Sequence, residues 1–296
     1  MQAHARVVIV GGGCVGTSTL YGLARHGCTD AVLLEKSQLT AGSTWHAAGL
    51  LVSFARSPNI GKMAVETIRI YKEVEKRLGY SCGLRQVGTL RVANTQQRWD
   101  EFSSYIGIAE AAGVSAKLVT PTEIRELAPL LSPSPCIFGG LFHPEDGYIN
   151  PSDITMGMAK LAQEMGATIH QNTAALGYRQ LPDRSWIVST SQGNVRCEHL
   201  VFATGNYARE NAKRIGLDLP CIPIIHQYWT TEVVPELTKR KADGAREMPV
   251  LRDEDYGAYL REDVGKFQFG PYEFEKDLKL FAVDGVPKKF RCRPSA

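Results

Sequence analysis

A glycine-rich turn near the N-terminus constrains the fold of this chain more than any other feature of its sequence. Residues 6–10 form a short apolar run typical of a buried parallel strand, and residues 15–26 carry apolar side chains at helical spacing. Between them, Gly11, Gly13 and Gly16 form the pattern G-x-G-x-x-G. The first glycine permits a tight turn, the second lets the backbone approach a pyrophosphate, and the third lets the helix pack against the strand. The pattern predicts a βαβ unit that binds phosphates at the helix N-terminus.

Two further strand ends support a dinucleotide site. The apolar stretch "AVLLEKS" places Glu35 about 20 residues beyond the glycines, where an acid binds the ribose hydroxyls and disfavours a 2′-phosphate. In "LVFATGNYARE", a strand ends in Ala203, Thr204 and Gly205 before a helix, which would let the backbone approach a bound cofactor. An ordinary strand-to-helix turn explains the second stretch equally well on spacing alone. The residues therefore predict NAD, FAD or a similar dinucleotide.

Composition narrows the class of partner. The chain has 34 Lys and Arg against 31 Asp and Glu, a net charge of +3 that is too small and too dispersed to indicate a nucleic-acid or membrane surface. We therefore expect a small-molecule partner. The seven cysteines are odd in number and widely spaced, which argues against a disulfide framework and a zinc site. With no apparent leader peptide and no apolar run of about 18 residues, we expect a cytoplasmic location and no membrane span.

The rest of the sequence alternates between helical and strand-like patterns. Helices are predicted at 62–79, at 97–112 and near 149–169, the last with Ser or Asp at its start. A strand is predicted at 88–95, and residues 184–205 are typical of a hairpin followed by a parallel strand. Later stretches alternate as strands do. The layout indicates a dinucleotide domain of parallel sheet and helices, interrupted by excursions into a second, more antiparallel domain.

Six strings resemble a known family. In chain order they are "VVIVGGGCVG", "VLLEKSQLTAGSTWHAAGL", "PEDGYINPSDITMGMAKLA", "IPIIHQYWTTE", "MPVLRDEDYGAYLRED" and "FGPYE". Together they resemble the dimethylglycine dehydrogenase and sarcosine dehydrogenase family of flavoproteins, with the dimethylglycine branch the more similar. The resemblance extends over about residues 6–287. It implies an α/β fold in which a Rossmann-like FAD-binding domain, of the D-amino acid oxidase type, is interleaved with a mixed, largely antiparallel substrate domain. The expected boundaries are 1–80 and 150–218 for the FAD-binding domain, 81–149 and 219–287 for the substrate domain, and 288–296 for a basic tail expected to be disordered.

The resemblance assigns a role to His46. In the family, the histidine of "STWHAAG" attaches FAD covalently at the 8α-methyl carbon, so Ser43, Thr44 and His46 are expected to contact the cofactor. A neutral imidazole nitrogen is nucleophilic near physiological pH, which suits this attachment. Without the resemblance, His46 would be interpreted as a buried histidine bonded to a backbone carbonyl.

The resemblance also implies a reaction. Family members oxidise N-methyl groups of small amino acids, dimethylglycine or sarcosine, by hydride transfer to flavin N5, with electron-transfer flavoprotein or oxygen as the acceptor. His226 and Tyr259 match the family positions that lie over the flavin and contact the substrate. From the residues alone, both would be interpreted as ordinary strand residues.

Four other residues are weaker candidates. Tyr228, Arg261 and Tyr272 could line the substrate pocket or pack a sheet face. Cys14 lies inside the glycine turn at a helix N-terminus, where a thiol can become reactive. We expect it instead to be a small buried residue that faces the cofactor.

Length separates this chain from the family. Its members continue with a further cofactor-domain segment and a folate-binding domain, so the chain resembles a member truncated at the C-terminus, whose autonomous activity needs testing. Two alternatives stay open: a non-catalytic flavin-binding or regulatory relative, and an NAD-dependent dehydrogenase that the glycine pattern permits. The presence of His46 favours the catalytic branch over the regulatory one.

Overall fold

Two β-sheets contain most of the strands in the computed structural model, which describes residues 2–131, 137–274 and 279–280. The helices are α1 (Cys14–Arg25), α2 (Pro58–Leu78), α3 (Gln96–Ala112), α4 (Pro121–Leu127), α5 (Pro151–Glu164), α6 (Ala208–Lys213) and α7 (Pro235–Ala242). The strands are β1 (His4–Val10), β2 (Ala31–Leu34), β3 (Leu50–Leu51), β4 (Thr89–Ala93), β5 (Lys117–Val119), β6 (Gly139–His143), β7 (Gly147–Tyr148), β8 (Thr168–His170), β9 (Ala175–Gln180), β10 (Trp186–Thr190), β11 (Gly193–Phe202), β12 (Ile224–Ile225), β13 (Trp229–Thr230), β14 (Val250–Asp253), β15 (Ala258–Asp263), β16 (Lys266–Pro271) and β17 (Lys279–Leu280).

The first sheet joins six of the described strands in the order β8-β2-β1-β11-β10-β9. Strands β8, β2, β1 and β11 run parallel, and the central strand β2 is buried along its whole length, as is typical of parallel sheets covered on both faces. Helices α1 and α5 pack on one face, where Ile9, Leu20, Leu33 and Met158 belong to the same buried cluster. The predicted strand, glycine turn and helix are confirmed.

Strand β11 belongs to two pairings at once. Its first half forms an antiparallel hairpin with β10, and its second half runs parallel to β1, with Phe202 opposite Val10. The predicted hairpin followed by a parallel strand is therefore confirmed. The continuous strand brings the end of β11 beside the glycine turn that follows β1.

The second sheet joins seven of the described strands in the order β13-β16-β15-β14-β4-β6-β5. Strand β14 runs parallel to β4, and the other neighbouring pairs are antiparallel. One face buries Leu90 and Leu251 against Leu237 of α7. The other face carries Arg91, Arg252 and further polar side chains, since these residues alternate with the apolar ones along the strands.

The chain crosses between the two sheets more than once. Strands of the first sheet come from residues 4–34 and 168–202, and strands of the second from 89–143 and 229–271. This arrangement confirms an α/β fold with an interleaved, largely antiparallel second sheet, while the domain boundaries themselves stay a prediction. The basic tail lies outside the described residues. Within the described ranges, no helix combines the length and the apolar character needed to cross a membrane.

Helix boundaries follow local chemistry. Helix α2 begins at Pro58, one turn before the predicted start, and ends at Leu78, where Gly79 follows with a φ of 74° that suits glycine. Helix α5 is capped by Asn150, whose side-chain oxygen accepts N–H bonds from Ser152 at 3.0 Å and Asp153 at 3.2 Å. The expectation that Ser or Asp starts this helix was therefore wrong by a few residues, because three neighbouring residues are all good caps.

The close contact at Gly16 gives a stability prediction. A Cβ atom at Gly16 would lie 1.8 Å from the carbonyl oxygen of Gly11, whereas a Cβ at Gly22 in the same helix would meet nothing within 4 Å. We expect Gly16→Ala to lower the free energy of unfolding by about 3 kcal/mol or to prevent folding. The new Cβ would overlap the Gly11 carbonyl, and backbone atoms cannot move aside as a flexible side chain can. Gly22→Ala should raise it by roughly 0.8 kcal/mol through helix propensity. Urea unfolding of both variants measures the difference. Equal changes in the free energy of unfolding would show that Gly16 does not pack closely against Gly11.

Candidate active site

The glycine turn is held by contact with the end of β11. Gly11 has φ of 115°, and a Cβ there would lie 2.3 Å from the carbonyl oxygen of Ala203. A Cβ at Gly16 would meet the Gly11 carbonyl and, at 3.4 Å, the Cβ of Ala203. Strand, helix and neighbouring strand can therefore approach closely only because both positions are glycine.

The N-terminus of α1 presents backbone N–H groups to the loop after β2. Gly13 is the N-cap residue and provides no side-chain cap. The N–H of Cys14 donates to Thr44 Oγ1 at 3.0 Å, and a Cβ at Gly13 would lie 2.9 Å from the same oxygen. The buried Thr44 therefore lies against the end of the helix that attracts anions.

Glu35 is fixed at the end of β2 by backbone donors. Its Oε2 accepts the N–H of Gly12 at 2.7 Å, and its Oε1 accepts the N–H of Ser37 at 2.8 Å. The carboxylate thus lies beside the glycine turn, as the pattern predicts for a group that binds ribose hydroxyls.

The end of β11 provides a third side to the same region. Thr204 Oγ1 is buried and has no hydrogen-bond partner among the described residues. Gly205 follows with φ of 54°. Asn206 Nδ2 donates to Ser43 Oγ at 3.3 Å, which joins this strand end to the loop that carries Thr44. The structure therefore brings the predicted cofactor residues of three separate segments to one edge of the sheet.

His46 lies in the turn-rich loop after Thr44. It is half-buried, its Nδ1 lies 3.0 Å from the carbonyl oxygen of Gly42, and its ring centroid lies 4.0 Å from that of Trp45. This contact matches the backbone-bonded histidine that the residues alone suggested. It is equally compatible with the role implied by the resemblance, so attachment of a cofactor stays a prediction.

His226 and Tyr259 belong to a separate aromatic cluster, which Tyr259 of β15 and two residues outside the strands form beside the second sheet. His226 Nδ1 lies 2.8 Å from Glu273 Oε2, and its ring stacks on Tyr272 with centroids 5.0 Å apart. Tyr259 is buried, and its ring centroid lies 5.8 Å from that of Tyr272. Burial raises the pKa of Tyr259 to about 12. Tyr272 thus connects the two candidate catalytic residues.

A cavity of about 630 Å³ separates the loop near His46 from the second sheet. Trp45 and Ala47 line one side. Tyr228, Arg261 and Gln268, from the second sheet and the segment before it, line another. Of the weaker candidates, Tyr228 and Arg261 therefore line the cavity, whereas Tyr272 packs in the aromatic cluster.

One expectation for this region was wrong. Cys14 is exposed rather than buried. The reason is geometric: Cys14 is the first residue of α1, and the close contacts of the turn are made by Gly11 and Gly16 on the other side.

The sequence interpretation missed a buried polar cluster around Arg91 and Asp146. Asp146 Oδ1 accepts the Ser53 hydroxyl at 2.5 Å and the Ser53 N–H at 3.1 Å. Arg91, also buried, stacks over the Phe54 ring at 4.2 Å and pairs with Glu254. A single charge between Leu90 and Val92 in "TLRVA" was the sequence signal that could have indicated it.

Burial dominates the ionisation of this cluster. It lowers the pKa of Arg91 to about 9, with the Arg252 charge adding to the effect. Burial and the Arg91 charge lower the pKa of His143 to about 3. Burial raises the pKa of Asp146 to about 6 in spite of its bonds to Ser53. Strongly shifted pKa values occur at functional sites and in buried structural networks alike, and none of these groups lines the cavity described above.

Comparison with known proteins identifies the fold and the family. The model of the FAD dependent oxidoreductase family matches residues 6–290. L-proline dehydrogenase from P. horikoshii superposes with a TM-score of 0.81 at 25% identity, over 93% of this chain and 71% of that one. The fold class predicted from the sequence is therefore confirmed.

Two curated relatives have informative names. Dimethylglycine dehydrogenase, mitochondrial, of Rattus norvegicus is 42% identical over 290 residues, which cover 97% of this chain and 33% of that protein. Sarcosine dehydrogenase, mitochondrial, of Homo sapiens is 32% identical over 279 residues, 92% of this chain and 29% of that protein. The chain thus spans about a third of the length of these relatives.

The raised pKa of Asp146 gives a pH prediction. An acid whose pKa is about 6 when folded and 3.8 when unfolded contributes stability below pH 3.8, which is lost as the pH rises through 6. We expect the ionisation to cost up to about 3 kcal/mol of unfolding free energy, since one pKa unit is about 1.36 kcal/mol. Asp146→Asn should remove this loss, so its stability relative to wild type should rise between about pH 4 and 6, the interval between the two pKa values.

The control for this measurement is Asp183→Asn. Bonds from Ser185 lower the pKa of this exposed acid, so its contribution has the opposite sign. Urea titrations of the three proteins at a series of pH values give the comparison. If Asp146→Asn and wild type keep a constant difference across this pH range, Asp146 is ionised throughout and the cluster is wrongly described.

Proposed function

This chain belongs to the FAD dependent oxidoreductase family, and on that premise we propose that it oxidises an N-methyl group of a small amino acid, dimethylglycine or sarcosine. The observation that carries the proposal is the 42% identity, over 97% of this chain, to a protein named dimethylglycine dehydrogenase. The chain covers 33% of that relative, so the activity of the whole relative is a proposal for this chain.

The residues at the glycine turn fit FAD. A side chain at Gly11 or Gly16 would collide with backbone, the N-cap residue of α1 is a glycine with no capping side chain, and the buried Thr204 hydroxyl has no bonding partner among the described residues. We propose that α1 and Thr44 hold the phosphates and that Glu35 binds ribose hydroxyls. Bound FAD would supply an acceptor for a hydride. Family membership favours FAD over NAD and argues against an NAD-dependent dehydrogenase.

His46 is our candidate for covalent attachment. In the tautomer that donates Nδ1–H to the Gly42 carbonyl, the lone pair lies on Nε2. We propose that Nε2 is the atom through which His46 would hold FAD at its 8α-methyl carbon. The contact with Gly42 fixes the orientation of the ring, which favours a single site of attachment.

His226 would prepare the substrate amine. Its Nδ1 lies 2.8 Å from Glu273 Oε2, so the carboxylate accepts Nδ1–H and leaves Nε2 as a proton acceptor. A protonated tertiary amine cannot release a hydride from its methyl carbon, because no lone pair is available to form the iminium. We propose that Nε2 of His226 takes this proton and that the stacked Tyr272 holds the imidazole in place.

Tyr259 would orient the substrate as a hydrogen-bond donor. Burial raises its pKa to about 12, so its hydroxyl keeps its proton at neutral pH. Its ring packs against the backbone of Gly270, where a Cβ would lie 2.2 Å from the tyrosine ring. Gly270 therefore makes room for Tyr259, and the rigid placement suits a positioning group.

Partners and compartment stay predictions. Electron-transfer flavoprotein or oxygen is the proposed electron acceptor, and the cytoplasm is the location expected from the sequence. The names of both relatives favour a mitochondrial location as the alternative. A non-catalytic flavin-binding protein would hold the cofactor without turnover. Measuring bound flavin and flavin reduction separately distinguishes this role from the proposed oxidation.

The first experiment tests the attachment of FAD. The wild-type chain, His46→Ala and the surface control His4→Ala are expressed with FAD, precipitated with acid and redissolved. We expect flavin absorbance to persist in wild type and in His4→Ala and to disappear in His46→Ala, because only a covalent bond survives denaturation. Colour retained by His46→Ala would exclude this residue as the attachment point, and a colourless wild type would exclude covalent binding by this chain.

The second experiment tests the role of Tyr259. The rate of anaerobic flavin reduction by dimethylglycine is measured for wild type, Tyr259→Phe and Tyr256→Phe. We expect Tyr259→Phe to be slower by about 100-fold, because a substrate misplaced by about 1 Å can lose that much rate. Tyr256 is 73% exposed, so its variant should match wild type. A Tyr259→Phe rate within twofold of wild type would remove this residue from the proposed mechanism.

A further inference from the structure

The loop that carries His46 ends in close backbone contact with the segment around β7. Gly49, three residues after His46, accepts the N–H of Ile149 at 2.9 Å, and a Cβ at Gly49 would lie 2.0 Å from the Ile149 carbonyl oxygen. Strand β3 then pairs with β7, with Leu50 opposite Tyr148. Because Gly49 lets the two backbones touch, a shift of β7 moves the end of the loop with it.

The Tyr148 side chain connects β7 to the second sheet. Its hydroxyl donates to Glu247 Oε1, and Glu247 lies just before β14 of that sheet. Glu247 Oε2 accepts bonds from Arg85, from Nη2 at 2.9 Å and from Nε at 3.3 Å. The Glu247 side chain is 15% exposed, so water screens these bonds less than it screens a surface pair. We call Tyr148, Glu247 and Arg85 the clasp.

Arg261 supports the clasp from β15. Its guanidinium lies over the Tyr148 ring, 4.4 Å from the centroid, and its Nη1 donates to the Glu262 carbonyl at 2.9 Å. A cation over the ring face favours one orientation of the ring. Burial, with the bond and charge of Glu247, raises the pKa of Tyr148, so its hydroxyl keeps its proton and remains a donor near neutral pH.

The clasp gives β7 a second link to the second sheet. The backbone bridge between Arg85 and Tyr148 secures β7 to the segment before β4, and the bond to Glu247 secures it to the segment before β14. Strands β4 and β14 are neighbours in the sheet. Two links to neighbouring strands fix the tilt of β7 as well as its position, whereas one link would leave it free to pivot.

The clasp also lies along the cavity between the loop and the second sheet. All three of its residues line this cavity, together with Trp45 and Ala47, the chain neighbours of His46. The tilt of β7 therefore sets the distance across the cavity from the loop to the second sheet. A displacement of about 1 Å can cost a reacting pair about 100-fold in rate, so this distance matters for any group that the loop presents.

We propose that Tyr148 and Glu247 are positioning residues for His46, because through the clasp and the paired strands β7 and β3 they hold the end of its loop at a fixed distance from the second sheet. The inference rests on the proposed function, in which His46 holds the cofactor, and deepens it. It assigns a role to two residues that touch neither His46 nor the glycine turn.

The first measurement is amide hydrogen exchange over residues 43–51 of the 296-residue chain. Tyr148→Phe removes only the hydroxyl, Glu247→Ala removes the acceptor, and Glu247→Gln keeps an acceptor oxygen. The control Tyr178→Phe removes a tyrosine hydroxyl that donates to Asn211 at 2.6 Å, beside the first sheet. All are made in the His46→Ala background, so that flavin attached at this residue does not differ between samples.

We expect the loop to open more often when the clasp is broken. Exchange of residues 46–51 should be about 10-fold faster in Tyr148→Phe and in Glu247→Ala, because each loses a hydrogen bond to a charged group. Glu247→Gln should be about threefold faster, since its oxygen still accepts the Tyr148 hydroxyl while the ion pair with Arg85 is lost. Tyr178→Phe should match the His46→Ala parent.

The second measurement distinguishes positioning from a general loss of stability. The same variants with His46 intact are expressed with FAD, and the FAD bound by the native protein is compared with the FAD retained after acid precipitation. In Tyr148→Phe and Glu247→Ala the retained share of the bound FAD should fall by about fivefold or more, while the bound amount stays close to that of wild type. A merely structural role would lower both amounts in proportion.

Other outcomes overturn the inference or separate it from the proposed function. It is overturned if exchange over residues 46–51 is the same in Tyr148→Phe, Glu247→Ala and their parent, or if faster exchange leaves the retained share unchanged. If the chain with His46 intact retains no flavin, the proposed attachment is rejected, and the exchange rates alone decide whether the clasp holds the loop.

Discussion

The rest of the structure depends on the close contact between the glycine turn and the end of β11. Backbone atoms of Gly11, Gly16 and Ala203 approach so closely that no side chain fits between them. This contact sets the distance between β1, α1 and β11. It also brings Glu35 and Thr204, which are far apart in the chain, to one edge of the parallel sheet. The anion-attracting helix N-terminus lies at that edge, so the contact organises the candidate cofactor site as well as the fold.

The second sheet turns this edge into a site with two walls. Its apolar face packs against α7, and its other face carries arginines and tyrosines that the chain cannot bury without partners. Some of these groups pair with one another, as Arg91 does with Glu254. Others, including Arg261 and Gln268, lie on the cavity with polar atoms that have no partner among the described residues.

The successes and errors of sequence interpretation have local causes. The strand, turn and helix around Gly11, and the hairpin of β10 and β11, were predictable because spacing and turn chemistry act over a few residues. The cap of α5 was misplaced because Asn150, Ser152 and Asp153 compete for the same role. The exposure of Cys14 could not be derived, since it depends on which side of the turn meets β11.

The sequence by itself determined that this chain has a dinucleotide-binding turn, an interleaved α/β organisation and a resemblance to flavoenzymes that oxidise N-methyl amino acids. Local spacing of residues and short strings of sequence predict those properties. Only the tertiary structure decided that Asp146 meets Ser53 across 93 positions, and that Arg261 shares a cavity with Trp45. Such contacts depend on how two sheets pack and on which side of each strand faces the other sheet. A long-range pairing of this kind leaves no periodic signal in one sequence, and so its charge and burial become visible only in the folded chain.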